Sequence, residues 1–368
     1  MIPYSPDRAY GALAILLGVL ACDDRTASQG SAAPGDREVV DISASMARLL
    51  DSAVRIGAAI NPASEGAGFT RIRDAHLTPD GRFVVVLDQA PPYVRVFRAS
   101  GSLEAAFVPH GEGPGEAEYP LAIAVSDDRI LVLHPGRASL FTLGGEFLDT
   151  GATGFWPHAA ARGCGGDFLV YGPGTDADGT LVWLRALRGV DTGPPLLLGG
   201  DTEAERYSYG MRRFIGPRDL AGSDDVIVVH RAAREPAETV TMFCPDYRTV
   251  ATDTLPGLVH QRHMYTRTGP GTMVVRGREA GEPSVSGVAV VGRIPVLSVD
   301  VLGEPGMRLV RLPLGTRIDT PIPTAHVLLD ARPGSFALFR SPSNAQPVPH
   351  LLLVDYAAFV RTTGLEPR

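Results

Sequence analysis

Six short apolar runs, each just after a turn signal, recur along the chain and limit what it can fold into. They are residues 83–88 after Pro79-Asp80-Gly81, 130–134 after Asp127-Asp128, and 168–171 after Gly165-Gly166-Asp167. Residues 226–230 follow Asp224-Asp225, 273–276 follow Gly269-Pro270-Gly271, and 336–340 follow Pro333-Gly334. Their starts lie 47, 38, 58, 47 and 63 residues apart, a mean of about 51. Self-similarity near this period is what repeated units such as propeller blades produce. Each run is short, rich in β-branched residues and bounded by breakers, which selects strands over helices.

A second apolar run and a further turn follow most of them. Residues 93–97 lead to Ser100-Gly101, 138–142 to Gly144-Gly145, 181–184 to Arg188-Gly189 and 239–243 to Pro245-Asp246. More strand candidates stand at residues 103–108 and 146–149. With one strand ahead of each apolar run, a unit holds about four antiparallel strands, the content of a propeller blade. The spacing predicts an all-β, six-bladed β-propeller. Its fifth unit is the least regular, because residues 285–312 hold more strand-like sequence than one blade needs. The last unit is short of an outer strand after Val354, while residues 52–57 stand outside the six units. An open blade leaves sheet edges unpaired, so residues 52–57 are expected to pair with the C-terminal blade and close the ring. Residues 46–50 suit a short helix on one end.

Residues 11–22 form an apolar run, too short to cross a bilayer as a permanent helix, which takes about 20 residues. The length suits the core of a secretory signal. Val19-Leu20-Ala21-Cys22 resembles a bacterial lipobox, in which the cysteine is diacylated and becomes the mature N-terminus. Several acyl chains give stable anchoring where one is marginal. Residues 1–21 are read as a lipoprotein signal peptide, Cys22 as the lipidation site, 22–36 as a small, polar tether and 37–368 as the propeller. The chain is expected to be exported and lipid-anchored to a bacterial membrane, in the periplasm or at the cell surface. An ordinary signal peptide or a buried apolar helix is the alternative.

Composition narrows the function classes. The chain has 34 basic residues against 41 acidic ones, a net charge of -7, and every basic residue is arginine. A sequence-independent nucleic-acid binder would show the opposite balance, so no nucleic-acid partner is expected. Without lysine there is no Schiff-base or P-loop lysine chemistry. The 42 glycines and 31 prolines suit the many turns of short-strand architecture.

Phe69-Thr70-Arg71-Ile72, Asp80-Gly81, the strand to Asp88, Val94-Arg95-Val96-Phe97, Ser100-Gly101 and Gly111-Glu112-Gly113-Pro114-Gly115-Glu116 resemble the first blade of a bacterial family. That family comprises six-bladed β-propeller lipoproteins related to NHL-repeat propellers. Val54-Arg55-Ile56-Gly57 is similar to its N-terminal segment. The family's glycine-rich hexapeptide is usually followed by an aromatic residue, where this chain has Ala117. The resemblance covers residues 54–150 and implies fold and location more than activity.

Candidate sites are few. Within residues 111–116, Glu112 and Glu116 alternate with glycines, an arrangement suited to a cation or to a strained connection between blades. Asp176-Ala177-Asp178-Gly179 begins like a calcium loop but lacks the downstream ligands, and reads better as a turn. His134 and His230 occupy the repeat position held by Asp88 in the first unit, and with His158, His260 and His263 they could converge near the axis. Polar strand ends are the plainer alternative. Cys164 and Cys244 fall in turns on one face of adjacent blades, one near the axis and one peripheral. They form either a disulfide or two separate buried thiols.

The sequence therefore predicts a monomeric binding scaffold for an envelope protein, peptide or glycan, rather than an enzyme. Binding residues are placed at His110, Glu112, Glu116, His134 and His230, with no catalytic residue assigned. The alternative is a propeller hydrolase or lyase holding calcium or zinc in the central channel. The scarcity of asparagine, Asn61 and Asn344 only, weakens a lactonase-like calcium site. No cofactor is otherwise expected.

Overall fold

In the computed structural model the described residues are 42–57, 68–154, 156–175, 181–198, 219–231, 238–254, 265–269, 272–275, 283–301, 304, 306–312, 320–322, 326–341 and 349–365. The signal peptide, Cys22, the tether, Asp176 to Gly179, His260 and His263 lie outside them. The first described elements are helix α1 (Ser43–Asp51) and strand β1 (Val54–Ile56). Four antiparallel sheets follow, each a simple meander. The first is β2 (Ile72–Leu77), β3 (Phe83–Asp88), β4 (Val94–Arg98) and β5 (Leu103–Phe107). The second is β6 (Ala122–Val125), β7 (Arg129–His134), β8 (Arg137–Thr142) and β9 (Phe147–Ala152). The third is β10 (Ala159–Arg162), β11 (Phe168–Thr175), β12 (Leu181–Arg188) and β13 (Asp191–Leu198). The fourth is β14 (Leu220–Gly222), β15 (Val226–Arg231), β16 (Glu238–Phe243) and β17 (Arg248–Thr254).

The hairpin β18 (Tyr265–Gly269) and β19 (Thr272–Val275) then pairs, among the described residues, only with itself. This corrects the sequence reading, which took residues 273–276 as the core strand of the fifth unit. The next four-stranded set is β20 (Pro283–Val291), β21 (Ile294–Val301), β22 (Met307–Arg311) and β23 (Thr320–Ile322). The misplacement has a physical cause. Gly292-Arg293 makes the true turn, with Gly292 at φ 64°, and it carries no proline or aspartate to announce it. A single parallel pairing, Val291 with Ala331, joins this set to β24 (Val327–Ala331), β25 (Phe336–Arg340) and β26 (Leu351–Asp355). β1 supplies the fourth strand there, with Val54 opposite Leu353 and Ile56 opposite Leu351.

Burial explains the sequence rhythm. In β3 and β7 nearly every residue is buried, because both faces of the sheet are covered. Alternate side chains serve opposite neighbours. Val85 and Leu87 pack with Ile123 and Val132 of the second sheet, whereas Val84 and Val86 pack with Leu328 and Leu338 of the last. Leu131 and Leu133 in turn meet Phe168 and Val170 of the third sheet. The fourth strands β5, β9 and β17 are largely exposed and mark the periphery. First strands of successive sheets lie side by side, and β2 also touches β24. Buried aspartates join them. Asp74 accepts from the Ile123 N–H (3.4 Å) of the next sheet. Asp330 accepts from the Leu77 N–H (3.1 Å) of the first.

The last described element is helix α2 (Tyr356–Thr363), which the sequence reading did not anticipate. Asp355 caps it by accepting from the Ala358 N–H (2.8 Å), and Gly364 ends it in the left-handed conformation at φ 67°. It packs against α1, and Met46, Leu50, Phe359 and Val360 share one buried cluster with Ile56.

Candidate functional site

The start of β2 is fixed by Asp88, at the end of β3. Its fully buried carboxylate accepts from the backbone N–H groups of Thr70 (3.0 Å), Arg71 (2.7 Å) and Gln89 (2.7 Å). It also forms a buried ion pair with Arg95. This holds Arg71 and Arg73, both half-buried, at one end of the innermost strands. Arg73 donates one N–H to the Pro120 carbonyl (3.0 Å), and Arg340 of the last sheet donates to the Arg73 carbonyl (3.4 Å). Burial and then the like charge of Arg71 lower the Arg73 pKa. Among the described residues neither Arg71 nor Arg73 has a carboxylate at ion-pair distance. The acidic charge that acts on Arg73 is Asp88, already paired with Arg95, so two neighbouring guanidinium groups here suit an anionic group, which arginine forks bind bidentately.

Beside them runs the loop from Val108 to Tyr119. Val108 is a buried β-branched residue at φ 65°, a conformation that costs about 1–3 kcal/mol and persists only where contacts enforce it. Here the Val108 carbonyl accepts from the Tyr93 N–H (3.0 Å), and its side chain is locked in the core between two sheets. The Tyr93 hydroxyl meets His110 Nδ1 (3.0 Å) and donates to the Glu118 carbonyl (3.0 Å). Arg137 donates to the carbonyls of Glu112 (3.1 Å) and Glu116 (2.9 Å). The Glu116 carboxylate folds back to accept from the Gly113 N–H (2.9 Å). A Cβ on Gly111 would lie 2.1 Å from that carboxylate, which explains a glycine there. His110, Glu112 and Tyr119 are exposed.

His110, Glu112 and Glu116 thus lie on one loop, which uses the Glu116 carboxylate internally and holds His110 against Tyr93. His134 and His230 are buried on β7 and β15. His134 is 4 % exposed, and burial, then Arg137, lowers its pKa to about 4. His230 is buried with Nδ1 against Thr239 Oγ1 (3.1 Å). Among the described residues no three His, Cys, Asp or Glu side chains gather as a metal cluster.

The His134 shift fixes a pH dependence. The folded chain keeps this ring neutral, while the unfolded ring titrates near 6.5. Between about pH 6.5 and 4 the unfolded state therefore binds more protons, and stability falls as pH falls. By pH 5 the loss is about 2 kcal/mol. Urea denaturation at pH 7 and 5 should show a smaller difference for His134→Gln than for the native chain. Equal differences would contradict the assignment.

Cys164, in the turn after β10, and Cys244, in the turn after β16, are joined as a disulfide with Cα atoms 5.4 Å apart. The sequence placed one near the axis and the other peripheral. Face-to-face packing of the third and fourth sheets, with their twist, brings the two turns together. Tyr247 reinforces the junction: its hydroxyl accepts from the Cys164 N–H (3.1 Å) and donates to Asp167 (3.4 Å). Burial, with the Asp167 charge second, pushes the Tyr247 pKa up to about 12.

Arg71 and Arg73 were not singled out in the sequence. One available signal was the repeat of Asp-Ala beside an arginine, in Arg73-Asp74-Ala75 and Asp330-Ala331-Arg332, on two first strands. Each aspartate accepts from the following alanine N–H at 2.9 Å.

No protein-family model matches the chain, and no curated protein sequence matches it. Several solved structures do. One is a candidate exported protein from Bacteroides fragilis, with 11% identity and a TM-score of 0.50, covering 78% of this chain and 90% of that one. A second is the WD40 repeats of RRP9, at 11% identity and TM-score 0.48, covering 77% and 94%. A third is BamB from Moraxella catarrhalis, at 12% identity and TM-score 0.40, covering 77% and 83%. At such identities the likeness concerns the fold alone. With its four-stranded meanders packed face to face about neighbouring first strands, this chain has the β-propeller architecture.

Proposed function

We propose that the chain is an exported, lipid-anchored, six-bladed β-propeller that binds an acidic envelope ligand at the Arg71–Arg73 end of its innermost strands. Ring closure is supported by the pairing of β1 with β26 and by the hydrogen bonds that run from Asp330 and Arg340 to the first sheet. Export is supported by the lipobox at Cys22 and by the disulfide, which suits an oxidising compartment. The exported name of the Bacteroides fragilis fold neighbour agrees.

The observation that carries the binding role is the pair of half-buried guanidinium groups, Arg71 and Arg73, without carboxylate partners among the described residues. A structural arginine at such a place is normally neutralised. The exposed Tyr119 and His110 flank them on the neighbouring loop, and aromatic and arginine side chains together are the usual anchors of a binding surface. A cell-wall peptide or an acidic glycan presents carboxylates of the kind these forks take.

The test combines fractionation with cross-linking. The native full chain, expressed in a bacterium with an envelope, should sediment with membranes, and Cys22→Ser should release it. A photo-cross-linker at Tyr119 should capture an envelope component, and Arg71→Ser with Arg73→Ser should cut that capture at least tenfold. Membrane retention of the Cys22→Ser chain would defeat the anchor. Capture unchanged by the arginine substitutions would defeat the binding face.

A further inference from the structure

Two imidazoles meet in the sheet that contains β1. His326 immediately precedes β24, and His350 immediately precedes β26. Their Nε2 atoms are 3.4 Å apart. The rings are inclined at 61° with centroids 5.5 Å apart, so they approach by their nitrogen corners and do not stack. Both residues are half-buried. His350 is anchored at its backbone: its N–H donates to Ser341 Oγ (2.9 Å), and its carbonyl accepts from the Ser341 N–H (3.0 Å). Strands begin directly after both residues, so the two rings are carried on rigid elements.

We propose that His326 and His350 are two protein ligands of a binding site for a divalent transition-metal ion such as zinc. Tetrahedral zinc bound at about 2.0–2.1 Å by two imidazole nitrogens places those nitrogens about 3.3–3.4 Å apart. A direct N–H···N bond would draw them closer, toward the usual range of about 3 Å. The observed 3.4 Å is therefore long for a proton bridge and matches a metal bite. The donor type selects the metal class: imidazole suits zinc, copper or nickel, whereas calcium and magnesium need oxygen ligands. Burial, then the neighbouring His350, lowers the His326 pKa to about 4. Arg55, the other charge that His326 feels, lies on β1 and is exposed.

Among the described residues no third His, Cys, Asp or Glu completes the set. Water or an incoming ligand group would take the other positions of a tetrahedral zinc ion. The metal would tie the first strand of the last sheet to the strand that receives β1, so binding should stabilise the fold.

The experiment is Zn²⁺ titration of the full chain in detergent, followed by calorimetry and by histidine-directed acylation read by mass spectrometry. Zn²⁺ should bind in the micromolar range and slow the acylation of His326 and His350 at least fivefold. It should also raise the melting temperature. His326→Gln and His350→Gln should each weaken binding at this site at least tenfold. The acylation arm uses the native chain, so it decides the question even if a substituted chain folds poorly. Equal acylation with and without Zn²⁺, or affinity unchanged in both variants, would overturn the site and leave the pair as a long hydrogen bond.

Discussion

A chain lacking residues 42–57 is expected to lose most of its stability. The deletion removes β1 from the edge of β26 and takes away Met46, Leu50 and Ile56, which are 0 %, 5 % and 0 % exposed. Truncating one such side chain costs about 2–5 kcal/mol, and a whole domain is stable by about 5–15 kcal/mol. It also leaves Leu351 and Leu353 without their strand partners and bares one face of α2. Thermal melts of the two chains should differ by well over ten degrees, or the shortened chain should fail to fold. Superimposable melts would show that β1 and α1 are dispensable.

Asp88→Ala should be the most damaging single substitution at the Arg71–Arg73 end of the molecule. It leaves the Arg95 guanidinium, 5 % exposed, without its counter-ion, and removes the acceptor for three backbone N–H groups. Stranding a buried charge costs about 3–5 kcal/mol. Adding Arg95→Met should restore much of the loss, because the remaining side chain no longer needs a partner. Urea midpoints of the single and double variants measure this. If the double variant is no more stable than Asp88→Ala, the stranded charge is not the cause.

The strand order was legible because each propeller strand is decided locally. Residues 83–87 and 226–229 are apolar without interruption because both faces of their sheets are covered, and a turn precedes each. The pairing of β1 with β26 could be inferred from the missing outer strand, since an unpaired edge demands a partner. Where the local signal failed, the fold was misread. Gly269-Pro270-Gly271 announces a turn as clearly as any in the chain, yet β18 and β19 form a hairpin of their own. Helix α2 was missed because residues 356–363 make less than three turns and owe their place to contacts with α1, far away in sequence.

The candidate site was less legible. His110, Glu112 and Glu116 lie on one loop, where the Glu116 carboxylate turns inward to the Gly113 N–H and His110 meets Tyr93, which spacing alone does not reveal. Arg71 and Arg73 gain meaning only from Asp88, which is remote in sequence and fixes the chain beside them. His326 and His350 are 24 residues apart and meet only through the pairing of β24, β25 and β26. Local pattern identifies strands, whereas sites arise where strand ends converge.

The covalent link between Cys164 and Cys244 has one more consequence, because its partners are 80 residues apart in the chain. Every residue from 165 to 243 lies on a closed covalent circuit. A protease that cuts once within this stretch does not divide the molecule, since both fragments stay attached through the sulfur bridge. A chain so linked can be nicked there and still keep its third and fourth sheets together.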